Sequence, residues 1–371
     1  MSLRILHTES STGWGGQEIR LLTEAKGMLQ RGHRVNVLTP PSADLFPAAQ
    51  KRGIPVVAMP IEKKRLSALV AMVRWLGAHR HEYDVINTHS STDAWLTAAA
   101  RCCLRNAPPV VRTRHVSTAI GNNRANRWLY QSATAHIVTA GEALRQQLVR
   151  ANGFDPQRVT SVRTGIDLTI FRPMDKEQCR RQLGLEARRA VGIVATLRDW
   201  KGHDYLLDAW RLLQRQFVDW QLLVIGDGPQ RGRLEARVAG EGLSSVRFVG
   251  NQDNVPVWLN SLDLFALPSF GDEGVPQGIM QAMACGLAVV STPIGAIEEA
   301  VQRDRTGLLV APRDAEALAG ALARLMGNEA LRLAMGGAGR AYALGHFAID
   351  AMLDEMESVF KTAIERGRGG T

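Results

Sequence analysis

The sequence predicts an α/β protein made of two doubly wound domains, each a parallel sheet flanked by helices. Three observations carry that expectation. The chain has 371 residues, more than one ordinary domain core uses. Short runs rich in Val, Ile and Leu alternate with longer segments of helical period, the mark of strands buried on both faces. The rhythm stops near residue 165 and restarts near residue 190, which separates two sets of elements.

In the first set the strand candidates are Arg4–His7, Val35–Thr39, Val56–Met59, Val85–Thr88, Val110–Thr113, His136–Thr139 and Val159–Val162. Helical segments fill the intervals. One of them opens with Lys63-Lys64-Arg65 and continues with Leu66, Leu69, Val70, Val73 and Leu76, a spacing that makes one apolar face. That face suits either packing on the sheet or, with its cations, an anionic surface. The join falls within Thr164–Pro173, where Gly165-Ile166-Asp167 and Pro173 interrupt the alternation. The second set comprises Ala190–Ala195, Gln221–Ile225, Val246–Val249, Leu264–Leu267, Ala288–Ser291 and Gly307–Val310. After Pro312 the chain reads as helices, with Asp314 capping one and Gly336-Gly337 breaking the next pair. Gly367–Thr371 is expected to fray.

Composition narrows the class. Hydrophobic residues make up 45% and charged residues 22%, as in a soluble globular protein. The longest uncharged run, Gly274–Ile297, carries Gly, Pro, Gln and Ser throughout, unlike the roughly 20 apolar residues of a membrane span. The N-terminus starts as a strand and has no export-signal pattern. Cys102, Cys103, Cys179 and Cys285 show no CxxC spacing, so neither zinc nor a disulfide framework is suggested and a reducing cytosol fits. Residues 1–172 hold 23 Lys and Arg against 11 Asp and Glu, a net of +12, while residues 173–371 hold 22 against 25, a net of −3. A basic excess confined to one half suggests an anionic partner there: a membrane surface, a phosphorylated acceptor or nucleic acid.

Ligands of open parallel sheets bind beyond the carboxyl ends of the strands, and two such domains facing one another enclose a cleft. Three loops after strands stand out. Ser11–Glu18 contains Gly13, Gly15 and Gly16 directly before a helix. Glycines let backbone approach a ligand, and a helix N-terminus suits phosphate; a tight turn without a ligand reads equally well. The loop matches neither GxGxxG nor GxxxxGK[ST]. Ala195–His203 sets Arg198 and Lys201 three residues apart, able to neutralise a departing diphosphate or simply to be solvated. In Pro268–Gly286, Glu273 precedes a glycine-containing turn and a helix beginning near Gln277, with Gln281 one turn on and sharing its face. A carboxylate beside phosphate-binding amides suggests a sugar attached to the phosphate.

At this point Glu273–Gly286 resembles the E-x7-E segment of retaining glycosyltransferase family 4, written E-G-[FA]-[GP]-x4-E-A-M-A-C-G. Gly15-Gly16-Gln17-Glu18 is similar to that family's GGxE loop, and Arg31–Val35 to its rGHxV segment. Gly165-Ile166-Asp167 with Phe171 and Pro173 is similar to its NGIDxxxFxP hinge, and Arg198 with Lys201-Gly202 to its diphosphate clamp. These motifs fall in order over nearly the whole chain. The resemblance implies the GT-B fold, two Rossmann-like doubly wound domains facing across a cleft. Residues 1–165 would bind the acceptor and 174–349 the donor, with a helix over 350–371 returning to the first domain.

The resemblance also implies roles. Arg198 and Lys201 would hold the donor diphosphate together with amides near Gly15 and Gly16 and from Gly274, Val275, Gln277 and Gly278. Glu273 would bind hydroxyls of the transferred sugar, Gln281 the ribose, and Gly250-Asn251 would line the nucleobase. His115 falls where the family has a histidine that contacts the donor sugar; by itself a lone histidine is more often a structural one. Gln281 departs from the family's second Glu, and an amide offers one acceptor and one donor where a carboxylate accepts two charged bonds. Weaker ribose binding, a changed nucleotide preference and loss of activity are the open consequences.

No D-x-D occurs in the chain, so a metal-bridged diphosphate is not indicated and no metal or cofactor is expected. A UDP-sugar is the first expectation as donor and a GDP-sugar the second. The family's chemistry would have the acceptor hydroxyl attack the face from which the nucleoside diphosphate leaves. The implied acceptor is a glycan or glycolipid of bacterial lipopolysaccharide or surface polysaccharide, met on the inner face of the cytoplasmic membrane by a cytoplasmic, peripheral enzyme. Three rivals remain: a nucleotide-sugar 2-epimerase of the same architecture, an inactive sugar-nucleotide-binding scaffold, and a DNA-binding or DNA-modifying glucosyltransferase. Against the last, the basic residues are not interleaved with an aromatic stacking array.

Overall fold

A computed structural model describes residues 2–116, 118–185, 189–271 and 273–368, and in it each expected strand forms within one residue of its expected ends. The chain divides into two units, Met1–Gly165 with Ile349–Thr371, and Ile166–Ala348.

The first unit runs β1 (Arg4–Thr8), α1 (Gly16–Gln30), β2 (Arg34–Thr39), α2 (Leu45–Lys51), β3 (Val56–Ala58), α3 (Leu66–His79) and β4 (Val85–Thr88). It continues with α4 (Ser91–Cys102), β5 (Val110–Arg114), α5 (Arg124–Arg127), β6 (His136–Thr139), α6 (Glu142–Arg150) and β7 (Val159–Ser161). Its sheet is parallel in the order β3-β2-β1-β4-β5-β6-β7. Side chains alternate across the strands: Ile5, Val37, Val85, Val111 and Val138 join one core layer, Leu6, Leu38 and Ile86 another.

The second unit runs α7 (Lys176–Gln182), β8 (Arg189–Val194), α8 (His203–Leu213), β9 (Trp220–Ile225), α9 (Arg231–Gly240), β10 (Val246–Gly250) and α10 (Val255–Ser261). Then come β11 (Leu264–Leu267), α11 (Gln277–Ala284), β12 (Val289–Ser291), β13 (Gly307–Leu309), α12 (Ala315–Met326) and α13 (Glu329–His346). The sheet order is β10-β9-β8-β11-β12-β13, again parallel. The last helix, α14 (Ile349–Arg368), belongs to the first unit. Among the described residues no helix is long and apolar enough to cross a membrane.

Arg31 and His33 have a structural use. The Arg31 guanidinium reaches Asp350, Asp354 and Glu357 on α14, and His33 Nε2 lies 3.3 Å from Glu357. Beside them Gly27 admits Leu353 so closely that a Cβ would sit 2.5 Å from its Cδ1. The motif thus docks α14 on α1.

Three expectations need correction. Gly336-Gly337 does not break a helix: α13 runs through both, and the break lies before it, at Gly327 and the capping Asn328, whose Oδ1 accepts from Leu331 N. A Cβ at Gly336 would stand 2.1 Å from Gly286 O, so that glycine serves close packing. Fraying does not begin at Gly367, which stays in α14 with Pro109 beside it; residues 369–371 lie outside the described residues. The apolar face of α3 is not single. Ala68, Met72 and Leu76 are buried, with Leu69 and Val73 packed beside them, while Leu66 is 76% and Val70 40% exposed.

Candidate active site

In the second unit the loop after β8 carries both expected cations. Gly202 takes φ 79° between the turn Asp199–Lys201 and α8, and a Cβ there would lie 2.0 Å from Pro268 O, so only glycine fits. This pins Lys201 against the β11 loop, where its Nζ donates to Glu273 Oε1 at 2.7 Å, both side chains largely buried. Arg198 is half-buried with its guanidinium 5.3 Å from the centre of the Trp200 ring, a cation–π contact. His203, the first residue of α8, is buried and pushed down to about 4, by burial first and by the Lys201 charge second.

Glu273 is held from behind by the loop after β12. Gly295 has φ 60° and a Cβ there would lie 2.0 Å from Glu273 O, which accepts from Ala296 N at 3.2 Å. Asp272 lies outside the described residues. Gly274 is half-buried and Val275 buried. α11 begins against the end of β8, since a Cβ at Gly278 would approach Val194 O to 2.7 Å. Ile279, Met280, Ala282 and Met283 fill the core, leaving Gln277 and Gln281 half-buried on the other side. Gly250 closes β10 at φ 72°, accepts through its carbonyl from Gly226 N at 2.9 Å, and is followed by the exposed Asn251.

In the first unit, α1 starts at the loop after β1, with Gly15 O accepting from Ile19 N at 3.1 Å and Gly16 exposed. Glu9 anchors that loop: it accepts from Ser11 N at 2.7 Å and from Ser90 Oγ and Gln17 Nε2. Burial, reinforced by the Asp93 charge, pushes its carboxyl up to about 8. His115 follows β5, half-buried, with Nε2 2.9 Å from His89 Nδ1. Burial and then Arg20, Arg112 and Arg114 hold its pKa well below the ordinary histidine value, so it is a neutral imidazole near neutral pH.

Within the second unit, therefore, Arg198, Lys201, Glu273, Gly274, Val275, Gln277, Gly278, Gln281 and Asn251 lie beyond the carboxyl ends of strands, and Gly250 is the last residue of β10. Gly15, Gly16 and His115 lie beyond strand ends in the first unit. Sequence reasoning missed four contributors. Gly226-Asp227-Gly228 packs on Leu197 and aims the Asp227–Arg231 ion pair, 2.7 Å, at Gly250. Gly295 positions Glu273; in the first unit, Glu9 holds the loop after β1 and His89 contacts His115. Gly226 and His89 directly follow strand candidates, and Glu9 and Gly295 lie two and four residues beyond theirs, so position in a loop after a strand is the one signal that could have found them.

The profile described as Glycosyltransferase Family 4 matches residues 14–170, and that described as Glycosyl transferases group 1 matches residues 188–328. The lipopolysaccharide core biosynthesis mannosyltransferase LpsB of Rhizobium meliloti is 31% identical over 265 residues, covering 68% of this chain and 73% of its own. A D-inositol 3-phosphate glycosyltransferase of Segniliparus rotundus is 26% identical over 397 residues, covering 95% and 86%. Among solved structures, HepE of Anabaena in complex with UDP and glucose superposes with a TM-score of 0.86 at 21% identity, covering 97% of this chain and 99% of that one. With its two parallel sheets and these relatives, the chain belongs to glycosyltransferase family 4 and has the GT-B fold.

Proposed function

We propose that the chain transfers a sugar, with retention of configuration, from a nucleotide-sugar donor to a glycan or glycolipid acceptor of surface polysaccharide or lipopolysaccharide. The observation that carries this reading is the Lys201–Glu273 hydrogen bond of 2.7 Å in the loops beside Arg198 and the start of α11. A cation suited to phosphate and a carboxylate suited to sugar hydroxyls are thereby adjacent, as a sugar diphosphate requires. Arg198, Lys201 and backbone amides from Gly274, Val275, Gln277 and Gly278, with Gly15 and Gly16, bind the diphosphate and meet the leaving-group charge without a metal ion. Glu273 orients the sugar, Gln281 meets the ribose, Gly250 and Asn251 line the base, and His115 faces the sugar as a neutral imidazole. The HepE structures, one with UDP and glucose and one with UDP-glucose, favour a UDP-sugar; LpsB's role in lipopolysaccharide core synthesis favours a lipid-linked acceptor. Lys63, Lys64 and Arg65 beside the exposed Leu66 and Val70 support work at the cytoplasmic face of an anionic membrane.

The test pairs a thermal-shift series against UDP, GDP and ADP with turnover of the corresponding sugars on a bacterial glycolipid extract, with and without EDTA. One diphosphate at 100 times its dissociation constant should stabilise by about 2.7 kcal/mol, and its sugar should be transferred at an EDTA-insensitive rate. Strict metal dependence would overturn the charge account. A 2-epimer formed from donor alone would make the chain an epimerase.

A further inference from the structure

A line of imidazoles runs inward from His115 along adjacent strand ends. His115 Nε2 lies 2.9 Å from His89 Nδ1, and His89 Nε2 lies 2.9 Å from His7 Nδ1. His7 on β1 and His89 after β4 are 0% and 2% exposed. Successive rings are 5.2 Å apart at 31° and 21°, and Phe360 of α14 packs edge-on against His7. The inner end faces a carboxylate: His7 Nε2 is 4.0 Å from Glu24 Oε1 on α1. Oε1 also accepts from Asn87 Nδ2 at 3.3 Å, and Asn87 Oδ1 accepts from Thr113 Oγ1 at 2.8 Å. Among the described residues, neither His7 Nε2 nor Glu24 Oε2 has a hydrogen-bond partner.

A neutral imidazole carries one N–H, so each contact in such a line takes one proton and all the hydrogen bonds must point the same way. We propose that the charge of Glu24 sets that direction and thereby decides which nitrogen of His115 carries a proton, making Glu24, His7 and His89 positioning residues for His115. With Glu24 ionised, His7 presents Nε2–H to it and takes a bond from His89 Nε2–H. His89 in turn takes one from His115 Nε2–H, which leaves His115 Nδ1 an acceptor. With Glu24 protonated, every bond reverses and His115 Nδ1 carries the hydrogen. The second state holds one proton more than the first, and that proton resides on Glu24. A proton arriving at His115 Nδ1 from outside would convert the first state into the second by one transfer at each contact. The last transfer needs Glu24 to turn, because 4.0 Å exceeds a hydrogen bond.

The surroundings agree. Burial keeps His7, His89 and His115 neutral, pushing His7 down to about 3. Burial pushes Glu24 up to about 7, against the pull of Arg20 and of the Asn87 hydrogen bond, so its charge changes near neutrality. Other groups bear on the line. Arg20 of α1 lies near Glu24 and, on α14, Glu355, which Arg163 also faces. Asp93 of α4 accepts from His89 N at 3.0 Å, and Arg112 and Arg114 of β5 flank His115. None of these stands between two rings of the line.

The consequence for transfer rests on His115 facing the donor; the tautomer switch does not. The test is nitrogen NMR of the full chain labelled at histidine, followed from about pH 5.5 to 9. The expected result is that His7, His89 and His115 change tautomer together with one midpoint near neutrality, and that Glu24→Gln abolishes the shared midpoint while the fold is kept. His115 holding one tautomer across the range in the wild-type chain would overturn the proposal, as would an unchanged switch in Glu24→Gln. If Glu24→Gln fails to fold, the wild-type titration alone decides. A shared switch in a chain that proves to bind no nucleotide sugar would leave the line intact and remove its proposed use.

Discussion

Lys201 already spends its charge on Glu273 at 2.7 Å, whereas Arg198 rests on the open face of Trp200. Their removal should therefore differ in kind. Both Lys201→Ala and Arg198→Ala are expected to cut turnover at least about a hundredfold, the scale of one lost donor to developing charge. Only Lys201→Ala should also lower stability, by about 1–3 kcal/mol, because Glu273 is then buried without its partner. Arg198→Ala should cost under about 1 kcal/mol. Kinetics alongside denaturant melts check this, and near-normal turnover in both variants would remove the diphosphate assignment. Gln281 sits half-buried one turn into α11, where a helix N-terminus tolerates a negative charge. Gln281→Glu should fold normally and shift nucleotide affinity by about 1 kcal/mol or more, read by calorimetry; equal affinity for every nucleotide would mean that Gln281 faces elsewhere. Arg198, Lys201, Glu273 and Gln281 were legible because short motifs carry them. The pairing of Lys201 with Glu273 was not, since it joins residues 72 apart and no local rule links them. Glu9, His7 and His89 were equally hidden, because one polar residue at the end of an apolar strand leaves no periodicity to read.

The elements were easier to see than their contacts. Parallel strands buried on both faces are short apolar runs, so their ends were found to within a residue. Asp314 was legible as a cap because its side chain does what a cap does, accepting from Ala317 N. Gly336-Gly337 misled because glycine marks both helix breaks and close approaches, and only the neighbour distinguishes them. The two glycines should thus respond oppositely to alanine. Gly336→Ala meets Gly286 O and should destabilise by about 1–3 kcal/mol, while Gly337 has nothing within 4 Å of an added Cβ and Gly337→Ala should stabilise by about 0.5–1 kcal/mol. Thermal melts of the pair give the signs. On α3 the buried stripe of Ala68, Met72 and Leu76 leaves Leu66 and Val70 outward beside Lys63, Lys64 and Arg65. Each such cation near an anionic bilayer contributes about 1 kcal/mol. Changing the three to Gln should release the protein from anionic vesicles at low salt; equal recovery of wild type and variant in the unbound fraction would point to a soluble acceptor.

At the scale of the molecule, buried titratable groups of opposite sense should give stability a maximum close to neutral pH. His7 is pushed down to about 3 and His136 and His203 to about 4, in each case chiefly by burial, from an ordinary 6.5. His89 and His115 move the same way. As pH falls below about 6.5 the unfolded chain binds protons that the folded chain refuses, so stability from these groups is whole above 6.5 and lost below it. Glu357, pulled down to about 2 by Arg31, His33 and Lys361 against its burial, extends that loss below its ordinary 4.5. Glu9 and Glu24 run the other way. Raised by burial to about 8 and about 7, they hold protons that the unfolded chain releases above 4.5, so their contribution is whole at low pH and lost as pH rises to 7 or 8. Between 4.5 and 6.5 the histidines outnumber these two carboxyls and stability climbs with pH. Above 6.5 the histidines no longer contribute a slope and the carboxyls alone act, so stability falls. Melting temperatures measured in steps from about pH 4 to 9 should peak between about 6 and 7. Glu24→Gln should steepen the climb between about pH 4.5 and 6.5 and soften the fall only up to about pH 7, because an amide has no proton for the unfolded chain to release. A melting temperature still rising from pH 7 to 9 in the wild-type chain would mean that Glu9 and Glu24 are ionised in the fold at neutral pH.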